Sequence, residues 1–135
     1  MDLSKSLNIS AAGMRAQGTR LRVISENIAN ADSTAQAPGA APYRRKVVSF
    51  GQSFDRELGL STVHVAGIHS DRSDFKRSFQ PNHPAADENG YVLMPNVSTL
   101  LEMADMREAQ RSYEANLKMI QTSQALLQRT IDILR

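Results

Sequence analysis

Cysteine is absent from the chain, and so is tryptophan. The first absence excludes disulfides, thiolate nucleophiles and cysteine-based metal centres together. Aromatic residues make up only 5% of the sequence, which argues against a compact core built on large rings. No apolar run reaches the ~18 residues that a membrane-spanning helix needs. The opening residues Met1-Asp2-Leu3-Ser4-Lys5 lack the apolar centre of a secretory signal. Classical secretion is therefore not expected, and export would have to read other features. Net charge is only +2, and the one basic run is Arg44-Arg45-Lys46. Nucleic acid requires a far broader basic face, so no nucleic-acid partner is expected.

What is present is a chain of 135 residues, 41% hydrophobic and 22% charged, enough for one domain or a small domain with extended arms. Residues 1–30 read as an N-terminal helix. Leu7, Met14, Leu21 and Ile28 recur every seventh position, with Leu3, Ala11 and Gly18 on the same face. Gly13 and Gly18 weaken that helix by roughly 1 kcal/mol each, so it is expected to depend on partners. Residues 31–95 hold all five prolines. They read as a loop followed by short β-prone pieces at 45–50, 61–66, 74–79 and 91–94. Residues 96–135 read as a second helix, with Asn96 or Ser98 as its cap. Its seam is Met103, Met106, Gln110, Tyr113, Leu117, Ile120, Gln124, Leu127, Ile131 and Leu134, in steps of three and four. The fold class expected is mainly α with a small β-rich insertion, the terminal helices pairing as a coiled-coil-like tube domain.

Periodicity alone leaves the stripe open to three readings: the core of a helical hairpin, an oligomeric coiled coil, or a membrane-surface helix. Burying one narrow seam does not offset the entropy of ordering so long a segment. Leu100, Leu101, Met119, Leu126 and Ile133 broaden the stripe beyond what one neighbour covers. Partner chains follow from that surplus.

The search for chemistry returns little. His64 and His69 are five apart and share neither a helix nor a strand face, so no metal is expected. Asp87-Glu88-Asn89-Gly90 has turn chemistry and lacks the alternating ligands of a calcium loop. There is no phosphate-binding glycine loop and no nucleophile elbow. No catalytic residue, cofactor or small-molecule substrate is expected, and the chain does not read as an enzyme.

The stretch Ser10–Gln17 followed by Arg20–Ser33 resembles the N-terminal motif of bacterial flagellar axial proteins of the rod and hook class. Residues Glu102–Asn116 resemble their C-terminal motif. The motif positions include Asn27, Ala29 and Asn30 at one end and Arg111, Ser112 and Asn116 at the other. Two middle segments, Pro38–Phe50 and His83–Val97, are similar to the short proximal-rod subunits of that class. Asn30 leads into Ala31-Asp32-Ser33-Thr34, in place of the Thr-Pro-Gly run of many axial proteins. Residues 51–80 carry no resemblance, and their contacts stay open.

The resemblance implies a structural subunit of the periplasm-spanning rod of the flagellar basal body. It implies export from the cytoplasm through the flagellar type III apparatus, without a cleaved signal peptide. The partners implied are other rod subunits and copies of the chain, with no direct membrane insertion. It also implies terminal helices that fold on joining the assembly. A cytosolic coiled-coil adaptor or export chaperone is the competing reading.

Overall fold

The computed structural model describes residues 2–135. Its elements are α1 (Leu3–Ala29), β1 (Lys46–Asp55), β2 (Leu60–Ser70), β3 (Lys76–Phe79), β4 (Tyr91–Met94) and α2 (Thr99–Ile133). Two long helices thus bracket a small β region, as the sequence pattern predicts.

Local chemistry sets the helix ends. The Asp2 carboxylate accepts the Ser4 N–H at 3.0 Å, capping the first turn of α1. At the other end Asn30 donates both its backbone N–H, at 3.1 Å, and its side-chain amide, at 2.9 Å, to the Glu26 carbonyl. The Asn30 side-chain oxygen then accepts the Ser33 hydroxyl at 3.0 Å, and the chain leaves the helix. Pro95 lies just upstream of α2, where the Ser98 carbonyl accepts the Glu102 N–H at 2.9 Å. Ser98 therefore occupies the cap position, and Asn96 is used elsewhere. No glycine or proline interrupts the 35 residues of α2, so it extends about 50 Å.

The strands form two separate two-stranded sheets, β1–β2 and β3–β4. In β1–β2 the connection is only residues 56–59, which forces antiparallel pairing. Asp55 accepts the N–H groups of Glu57 and Leu58, and Gly59 turns with φ +60°. These strands, 10 and 11 residues long, are longer than the short pieces expected at 45–50 and 61–66. Cross-strand pairing carries the chain through Gly51, Gln52 and Ser53, whose intrinsic strand preference is weak. In β3–β4, Lys76 stands opposite Met94 and Phe79 opposite Tyr91. The Phe79 and Tyr91 rings meet edge to face, 5.3 Å between centroids. The expected turn at 87–90 is present: Asp87 accepts the N–H groups of Asn89 and Tyr91, each at 2.9 Å. Gly90 is required there twice over, because φ is +82° and a Cβ would lie 2.9 Å from the Phe79 ring.

The chain divides into two compact units. One comprises residues up to 21, 48–67 and from 107 onward; the other comprises 22–47 and 68–106. In the first, the buried apolar residues are mostly small: Ala12, Ala16 and Ala109, with Leu60. A Cβ at Gly13 would fall 2.8 Å from the Asn116 amide, so the helices approach closely at that point. Gly18 faces Tyr113, and Arg20 pairs with Glu108 at 3.6 Å. Rising numbers on α1 meet falling numbers on α2, so the helices run antiparallel here. In the second unit the core is Val23, Ile24, Val92, Pro95 and Val97.

Gly13→Ala gains about 1 kcal/mol of helix propensity, and its methyl would fall 2.8 Å from the end of the Asn116 side chain, which has to turn aside and release the Ser112 carbonyl. Gly13→Leu, whose side chain Asn116 cannot clear by turning, should lower the thermal midpoint and the helix signal by circular dichroism. An unchanged midpoint in that variant would contradict the close approach.

Candidate assembly interface

Two features concern function. One is a buried polar cluster in the second unit; the other is the exposed apolar surface of the helices and the β1–β2 hairpin.

The cluster is centred on Asn27 and Glu102, each only 1% exposed. The Asn27 side chain grips the backbone of Lys46, where β1 begins. Its oxygen accepts the Lys46 N–H at 2.9 Å, and its amide donates to the Lys46 carbonyl at 2.9 Å. The Tyr43 hydroxyl donates to the same oxygen at 2.8 Å, and the amide also donates to Glu102 at 3.1 Å. This donor and acceptor pattern fits an amide and not a carboxylate, since an acid would set an oxygen against the Lys46 carbonyl.

Asn96 performs the same task one residue earlier. Its oxygen accepts the Arg45 N–H at 2.8 Å, and its amide donates to the Ser73 carbonyl and hydroxyl at 3.2 and 2.9 Å. The Arg45 guanidinium forms an ion pair with Glu102 and reaches Asp71 at 3.3 Å and Asp105 at 3.8 Å. Burial works against the charge on Arg45, but Glu102 and then Asp71 outweigh it and hold its pKa above the ordinary value. Burial also pushes the Tyr43 phenol up, helped by Glu26 and Glu102. The Ser73 N–H and hydroxyl, with Arg45, hold the Asp71 carboxyl below the ordinary value. Arg44 lies beside the cluster with its guanidinium 4.1 Å from the centre of the Phe75 ring.

The sequence-predicted residues are distributed unevenly. Leu7, Met14, Leu21 and Ile28 are half-buried, as are Met106, Tyr113 and Ile120. Met103, Leu117, Leu127, Ile131 and Leu134 are exposed, from 37% for Leu117 to 82% for Leu134. The covered line of α2 runs instead through Glu102, Ala109 and Ser123, with half-buried Asn116 between the last two. Among the motif residues Asn27 is the hub, Asn30 ends α1, and Asn116 meets Gly13. Ala29 and Arg111 are exposed, and the half-buried Ser112 accepts the Asn116 amide at 2.9 Å. Sequence reasoning missed Glu102, Arg45, Tyr43 and Asn96. Arg45 stands in a three-residue basic run that by itself points to no partner, and Glu102 lies 57 positions away.

The chemistry of these groups is structural. His83 accepts the Ala85 N–H at 3.0 Å through Nδ1 and meets Thr34 at 3.1 Å through Nε2. Among the described residues no three His, Cys, Asp or Glu side chains are grouped to hold a metal ion, and no helix is long and apolar enough to cross a membrane.

Comparison with known proteins gives this framework a class. Residues 7–36 match the family described as flagella basal body rod protein, and residues 88–133 match the flagellar basal body rod FlgEFG protein C-terminal family. The two matched segments take in most of α1 and all of α2. The chain is also 53% identical over 133 residues to a flagellar basal-body rod protein FlgC from Agrobacterium fabrum, covering 98% of this chain and 96% of that one. It is 39% identical to the FlgC of Bacillus subtilis, with 95% of each covered, and 37% identical to that of Salmonella typhimurium, with 98% of each covered. The chain belongs to the FlgC family of flagellar basal-body rod proteins.

Removing Arg45 strands the buried Glu102 carboxylate. Arg45→Ala should cost about 3–5 kcal/mol in urea unfolding, and Arg45→Ala with Glu102→Gln should recover much of it. A cost below about 1 kcal/mol for the single variant would show that the pair is not held as described. Acid should act on the same unit. Asp71 and Asp87 are depressed from 3.8, Asp87 chiefly by the Tyr91 N–H. Their contribution is complete above the unfolded value and is lost as pH falls through the folded one. The share of stability due to these two carboxylates should therefore be complete above about pH 5 and fall below about pH 4; Asp71→Asn with Asp87→Asn should flatten that acid limb, and an unchanged limb in the double variant would contradict this.

Proposed function

We propose that this chain is a structural subunit of the flagellar basal-body rod, assembling through its terminal helices with copies of itself and with other rod subunits. The observation that carries the reading is the match to FlgC proteins along nearly the whole chain, joined to an apolar heptad that the chain covers only in part. A helix that seats small and polar residues against its own chain, and leaves Leu117, Leu127, Ile131 and Leu134 outward, has its hydrophobic gain still to make. Burying those side chains between subunits supplies it.

On this reading residues 1–30 and 96–135 build a coiled-coil-like tube around the export channel, and residues 31–95 form the layer outside it. Contacts between unlike faces extend as an open helical array, not a closed ring. Such an array transmits torque by the stiffness of packed interfaces alone, so the subunit needs no catalytic centre. The chain would reach the periplasm through the flagellar type III export apparatus without inserting into the membrane. A cytosolic coiled-coil adaptor or export chaperone is not favoured, because the full-length relatives are rod proteins.

Cells lacking this chain should show basal bodies without rods by electron cryotomography, and intact rods would end the reading. Leu117→Asp and Ile131→Asp alter exposed positions and should leave a soluble subunit. Rod assembly and swimming should nevertheless be lost, and normal motility in both variants would remove the seam from the interface.

A further inference from the structure

The β1–β2 hairpin presents an apolar surface that nothing in its own unit covers. Phe50, Phe54 and Leu58 are 41%, 63% and 37% exposed. Between residues 48 and 54, and again between 58 and 67, there is no Lys, Arg, Asp or Glu. A free two-stranded ribbon is marginal in water, and natural edges are usually protected by charge or proline. Apart from Lys46 at the start of β1, charge stands only at the turn, where Asp55 and Glu57 flank Arg56, one net negative charge at that end.

The same unit contains a second uncovered surface. Every residue of α2 from 124 to its end at 133, and the two that follow, are exposed. Leu126, Leu127, Ile131, Ile133 and Leu134 lie there, at 46%, 38%, 53%, 84% and 82%. The charges in this stretch are Arg129 and Arg135 against Asp132, one net positive charge.

We infer that the C-terminal end of α2 of one copy packs on the β1–β2 hairpin of a second copy. The two surfaces are both apolar, and the charges at their margins are opposite. They belong to one compact unit and leave each other uncovered within a chain, so a second chain supplies the cover. Because the contact joins unlike surfaces, each copy offers a free hairpin and a free helix end, and copies add in one direction. The inference rests on the rod reading and assigns a contact to residues 51–67, part of the stretch 51–80 whose contacts the sequence leaves open.

The absence of cysteine makes the test direct. Gln52 and Thr130 are exposed and lie beside the two apolar sets. Gln52→Cys, Thr130→Cys and the double variant are expressed in place of the natural chain, and basal bodies are purified and treated with a short bismaleimide. The double variant should give a ladder of dimers and higher multiples of this chain, while each single variant stays monomeric. Dimers from Gln52→Cys alone would mean hairpin-to-hairpin packing and overturn the inference. So would rods that contain the double variant yet show no ladder, or show links only to a different rod protein. Absence of this chain from purified rods would overturn the rod reading itself.

Discussion

The Glu102 carboxylate is buried near the start of α2, and a buried charge is tolerable only when it is paired and fully hydrogen-bonded. Arg45 supplies the countercharge and Asn27 a further donor, so residues from α1, from the segment entering β1 and from α2 must be in place together. Asn27 and Asn96 then fix two consecutive residues, Lys46 and Arg45, by their backbone groups. The start of β1 is held by side-chain amides. A polar cluster of this kind fixes position and register more than it adds net stability.

The other unit is organised differently. Its helices meet where Gly13 faces Asn116 and Gly18 faces Tyr113, and its buried residues Ala12, Ala16 and Ala109 are small and poor in apolar area. Large apolar side chains remain on the surface of α2 and on the hairpin. A protein that functioned alone would carry this as an aggregation hazard. On the proposed reading, a subunit of a larger structure would gain its cohesion there.

Much of the architecture was legible. The heptad spacing of Leu7, Met14, Leu21 and Ile28 marked α1, and the unbroken pattern after Pro95 marked α2. The Asp87–Gly90 turn followed from asparagine and glycine chemistry. The lengths of β1 and β2 were not legible, because cross-strand pairing carries residues whose local preference is weak. Nor were the roles of Arg45 and Asn96, whose partners are far along the chain. The seam was legible as apolar, yet sequence could not say that Ala109 and Ser123 would turn inward while Leu127 and Ile131 stayed out.

The sequence by itself determined the helices, their caps and turns, and the excess of apolar surface over what one chain can cover. All of these depend on neighbours within a few positions, where spacing and side-chain type suffice. The tertiary structure decided which helix face is covered within the chain and which stays exposed. It also decided that Asn27 grips the backbone at Lys46. Those outcomes depend on distances between residues far apart in the chain, and so on how closely backbones approach and which buried polar groups find partners.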